Sequence, residues 1–202
     1  MVCLDRQERI QLKDSRMGSA FFSLYFFALI ASALPDWSWA YGIVNLSLAT
    51  VSTLLIIRSW MKRDHSKRYF SIMSYWFLLT MAFCSAQPII RLMIIAESKI
   101  WILLIILWAS VLLISTLMKE KVFHSFSEPN KSKASIALHL FLLFIVLATP
   151  FLIIIGSPVL QHFFRINTTF LICGFLLYII SLIVLVILPG FLKKPEEVIA
   201  QK

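Results

Sequence analysis

Acidic side chains are absent from every long apolar run of this 202-residue chain. Asp36 and Glu97 stand between runs, and the other eight acidic residues fall in basic, polar segments. Proton-driven transporters and intramembrane aspartyl proteases depend on buried carboxylates, whose pKa rises toward neutrality on burial. Both classes are disfavoured. Cysteine is scarce as well: Cys3 lies in the charged N-terminal stretch, while Cys84 and Cys173 lie inside apolar runs, with no C-x-x-C pair. A disulfide framework is not expected, and Cys84 and Cys173 read as small apolar packing residues. H-E-x-x-H, G-x-S-x-G, a phosphate-binding glycine loop and clustered carboxylates are all missing, so no metal, cofactor or catalytic residue is assigned.

Histidine is limited to His65, His124, His139 and His162, and only His139 falls inside an apolar run. Haem held between helices takes two imidazoles facing each other at similar depth, which this distribution does not offer. A thiolate–imidazole pair fails on distance. His65 is at a surface and Cys84 lies some fifteen residues into its run, about 22 Å along a helix at roughly 1.5 Å per residue.

Hydrophobic residues, by contrast, are in excess. They make up 60% of the chain, mean hydropathy is +0.88, and only 14% of residues are charged. A soluble domain holds roughly 45–50% apolar and about 25% charged residues, so this composition belongs in a bilayer. Crossing the hydrocarbon takes roughly 20 mostly apolar residues. Six runs meet that length, at about 18–35, 37–57, 69–93, 100–118, 135–155 and 168–192. Each is expected to be a helix, because an open strand would leave its backbone groups unpaired in lipid. The fold class expected is therefore an all-α integral membrane protein, a bundle of about six transmembrane helices. The first run follows a charged stretch and precedes no small-residue cleavage site, so it reads as a retained span.

Charge alternates along the chain in step with the runs. The N-terminal segment 1–17, the 58–68 loop, the 119–134 loop and the tail 193–202 hold all Lys and Arg except Arg91, Lys99 and Arg165. The positive-inside rule makes those four segments cytoplasmic, giving an N-in/C-in topology with three short outer loops. Trp37, Trp39, Trp60, Tyr69 and Trp101 sit at run boundaries, where aromatic anchors belong. The inner segments carry sixteen basic and eight acidic residues, a formal charge near +8. Arg58, Lys62, Arg63, Lys67 and Arg68 concentrate in one loop as a basic patch suited to anionic lipids or an acidic partner. Topology explains the pI of 9.7, and no nucleic-acid partner is expected.

Polar residues inside the runs form stripes. Thr80, Cys84, Gln87 and Arg91 recur at helical spacing on one face of the third run, with Pro88 in the same turn. Tyr41, Asn45, Ala49 and Ser52 form a matching stripe on the second run, which is expected to neighbour the third through Asn45 and Gln87. In the packing reading, Gln87 bonds a neighbouring helix and Arg91 snorkels to headgroups. The functional reading is an outward-facing cleft of Arg91, Gln87, Asn45 and Tyr41 that attracts an anionic group. Gly174, Tyr178 and Ser181 share a face of the sixth run, and Pro150 and Pro189 are placed to kink the last two.

Such a chain resembles, in size and topology alone, small substrate-capture subunits, permease subunits and immunity proteins of bacteria, a likeness that does not identify function. The expectation is a non-enzymatic accessory, immunity or signalling-helper subunit of a bacterial cytoplasmic membrane. It would act through helix–helix contacts with another membrane protein. The alternative is a small-solute or lipid-anion permease, or its binding subunit, centred on Arg91.

Overall fold

The computed structural model describes residues 15–62, 66–118 and 168–192, with the side chains of residues 66, 67, 168 and 192 left aside. The expected 135–155 span, its His139 and Pro150, the 119–134 linker, residues 1–14 of the N-terminal segment and the tail 193–202 lie outside the described residues. All regular structure among those described is helical: α1 (Met17–Ala33), α2 (Trp39–Met61), α3 (Ser66–Ile95), α4 (Ile100–Leu117) and α5 (Thr168–Ile187), the last continuing as a 3-10 turn, Leu188–Leu192. The stretches Trp39–Met61, Arg68–Ile95, Ile100–Leu117 and Thr169–Phe191 are long and apolar enough to cross a membrane, and α1 is a shorter apolar helix.

Helix ends follow local chemistry. The α1 helix stops two residues short of the expected run because Pro35 forces Leu34 out of the helical region, to φ −103° and ψ 134°. Its partner α2 begins at Trp39 after the extended Ser38. Helix α3 closes in a Schellman motif: Ser98 N–H donates to Met93 O at 3.0 Å and Glu97 N–H to Ile94 O at 3.0 Å. Glu97 takes the left-handed position at φ 55°, where glycine is usual. At the end of α5 the geometry tightens to 3-10 around Pro189, which has no N–H to continue the α ladder.

Cross-helix bonds fix the direction of every described helix. Asn45–Gln87 and Ser52–Thr80 make α2 antiparallel to α3. Tyr69–Ser15 near one end and Arg91–Ser32 near the other make α1 parallel to α3. Gly174 sits against Ile89, Ser181 bonds Ala82 and Ser71 bonds Phe191, so α5 is antiparallel to α3. Tyr178–Leu104 and Trp108–Ser181 make α4 and α5 parallel. Helix α3 is the hub, packed by α1 and α2 on one side and by α4 and α5 on the other. Its apolar window is 56% buried, against 11% for α4. Leu24, Ala28, Ala49, Ile56 and Tyr69 fill the first side, and Ala86, Ile89, Leu92, Leu104, Leu171 and Tyr178 the second.

Candidate functional site

Ending at Ala33 leaves the last carbonyls of α1 without intrahelical donors, at the negative end of the helix dipole. Those carbonyls are what Arg91 reaches from α3. Its Nη1 donates to Ala31 O and Ser32 O, both at 3.1 Å, and its Nη2 donates to the backbone carbonyl of Asp36. The guanidinium carbon also lies 4.5 Å from the centroid of the Tyr41 ring, in cation–π contact. Arg91 is 5% exposed, so its charge is stabilised by carbonyl dipoles and an aromatic face.

One turn deeper, two amides face each other. Asn45 Nδ2 donates to Gln87 Oε1 at 2.9 Å, and Gln87 Nε2 donates back to Asn45 Oδ1 at 2.5 Å. The second hydrogen of Asn45 Nδ2 goes to Ser32 Oγ at 3.0 Å, while Ser32 donates to Ala28 O at 2.6 Å. A primary amide carries two donor hydrogens, and both are used. Deeper still, Thr80 Oγ1 donates to Trp76 O at 3.0 Å, which leaves it to accept from Ser52 at 2.7 Å. Ala49 and Cys84 are buried along the same seam.

The structure thus brings Tyr41, Asn45, Gln87 and Arg91 into one connected polar cluster joining α1, α2 and α3. Spacing along α2 and α3 marks these four residues, but it does not reveal the partners supplied by α1. Ser32, the Ala31 and Ser32 carbonyls and the Asp36 carbonyl were not singled out from sequence. The readable signal is Pro35, which ends α1 and opens its carbonyls at the depth of Arg91. In the basic patch, Arg58 and Lys62 are exposed and Arg68 is half-buried; Arg63 and the Lys67 side chain lie outside the described residues.

A second polar seam joins α3, α4 and α5. Ser181 donates to Ala82 O at 2.6 Å and accepts from Trp108 Nε1 at 2.9 Å, while Tyr178 donates to Leu104 O at 2.7 Å. Gly174 lets the backbones close: a Cβ there would meet Ile89 N at 3.2 Å. Among the described residues, no three His, Cys, Asp or Glu side chains gather into a group able to hold a metal ion.

Fold and seams together define an all-helical protein in which, among the described residues, four helices are long and apolar enough to span a membrane and are knit by short buried polar bridges. The chain matches no protein-family model, no curated protein and no solved structure.

Proposed function

We propose that this chain is a non-enzymatic accessory, immunity or signalling-helper subunit of a bacterial cytoplasmic membrane, acting through helix–helix contacts with a membrane partner. The supporting observation is the closure of the Arg91 cluster. Arg91, Gln87 and Asn45 bond to one another's helices and to α1, so the stripe serves assembly of the bundle. Polar bridges of this kind hold helices together where lipid removes the hydrophobic drive for association. The apolar outer surface of α4, with Leu103, Ile106, Leu113 and Leu117 exposed, is then free for lipid or a partner helix.

The proposal includes six spans with both ends cytoplasmic. Its support is the parallel direction of α4 and α5, which requires the chain between Met118 and Thr168 to return from one end of the bundle to the other. The 135–155 run is the stretch of that segment apolar enough to make the crossing. Arg16, Arg58, Lys62 and Arg68 also share one end of the bundle, the end assigned to the cytoplasm.

Cross-linking in native membranes, followed by purification of the full chain, tests the subunit reading. One stoichiometric membrane partner is expected. Recovery of the chain alone, together with loss of solute uptake in a deletion strain, would favour the permease reading instead.

A further inference from the structure

At the basic end of the bundle, a groove of about 220 Å³ runs between α1 and α3. Arg16, Ser19, Ala20 and Ser23 line it from α1, and Met73, Ser74 and Phe77 from α3. Its composition changes with depth. Arg16 and Ser19 stand at the mouth, Ser23 and Ser74 lie further along, and Met73 and Phe77 give an apolar wall. Arg16 to Ser23 is seven residues, about 10 Å of helix at roughly 1.5 Å per residue, the distance from a headgroup phosphate into the upper acyl region. Arg16 is exposed, and among the described residues its guanidinium forms no ion pair or hydrogen bond. Ser19 Oγ donates its one hydrogen to Arg16 O at 2.9 Å, so Arg16 is the donor at this end of the groove that is open to an anion.

We infer that this groove is a binding site for one anionic phospholipid, with the headgroup phosphate on Arg16 and an acyl chain along Ala20, Met73 and Phe77. An arginine fork matches phosphate geometry, a match that a neutral apolar groove would lack. A soluble phosphate would gain nothing from the apolar wall, which is why the ligand is a lipid. The site is separate from the exposed cations Arg58 and Lys62 on α2, which draw anionic lipid diffusely. Nor does it depend on the partner reading, since it concerns the α1–α3 face alone.

The test uses the full chain in nanodiscs doped with a photoreactive phosphatidylglycerol, or with the matching phosphatidylcholine, followed by peptide mapping. Phosphatidylglycerol should label the peptides carrying residues 16–23 and 73–77 in preference to phosphatidylcholine. Arg16→Gln should reduce that labelling about fivefold, the effect of one cation beside an anionic headgroup. Arg58→Gln should leave it unchanged. Ala20→Phe, which fills the groove while keeping every charge, should also abolish the labelling, with monodispersity checked by size exclusion. Equal labelling by the two lipids, equal loss in Arg58→Gln, or retained labelling in Ala20→Phe would each overturn the site. Displacement by inorganic phosphate would overturn the lipid assignment.

Discussion

At the scale of single residues, the Arg91 cluster sets the terms. Three guanidinium bonds to backbone carbonyls and a stacked ring make Arg91 a cap for α1 provided by another helix. A hydrogen bond to a charged group contributes about 1.5–3 kcal/mol, and because removing the three also removes the cost of burying the charge, Arg91→Ala should destabilise the protein by about 2–4 kcal/mol. Thermal unfolding in detergent measures it. Arg91→Lys keeps the charge but not the planar fork or the stacking, and its stability should fall between the two. An Arg91→Ala protein as stable as the parent, yet lacking function, would return the residue to the anion-site reading. The paired amides give a second, independent check. Asn45→Leu alone leaves the buried Gln87 amide without its partner and Gln87→Leu leaves Asn45 Oδ1 without its donor, whereas the double substitution removes both amides. The double variant should therefore be more stable than the sum of the singles predicts, by about 0.6 kcal/mol and at most about 1.7, the average and the maximum for hydrogen bonds between membrane helices.

Among elements, the central fact is that α3 is gripped on two sides by different means. Polar bridges tie it to α1 and α2. On the other side, Gly174 permits close backbone approach and Ser181 links three helices at one point. Gly174→Ala places a methyl 3.2 Å from Ile89 N and 3.3 Å from its Cα, both backbone atoms that cannot swing away. The helices must part, at a cost of about 1–3 kcal/mol for overpacking. Gly174→Leu should cost more, and the series is read from melting temperatures. The direction of α4 is tested by cross-linking. With Cys3, Cys84 and Cys173 replaced, cysteines at Trp108 and Ser181 should join through a short bismaleimide. A pair at Leu104 and Leu185 should not, because parallel helices hold those positions at different depths. Efficient coupling of the second pair and none of the first would reverse α4, and with it the case for a returning segment.

For the whole molecule, reporter fusions measure orientation and span number together. Reporters after residues 16, 64, 128 and 202 should read cytoplasm, and those after 36, 97 and 162 the outer side. A cytoplasmic reading at 97 would remove the six-span topology. Much of the architecture was legible in the chain itself. Five of the six apolar runs became α1 to α5 with end shifts of a few residues, because in lipid a helix alone satisfies its own backbone, and the 135–155 run lies outside the described residues. The facing stripes of α2 and α3 were legible too, since side chains at helical spacing share a face whatever surrounds them. Helix order in space, the parallel pairing of α4 with α5 and the surroundings of Arg91 were not. Periodicity says which side chains lie on one face of a helix, but not which neighbour covers it. The chain thus determined the helices, their length and the polar residues that need partners. Only the tertiary structure decided that Arg91 closes on the end of α1, because the unsatisfied carbonyls that attract it belong to backbone sixty residues away, and backbone groups carry no mark in a sequence.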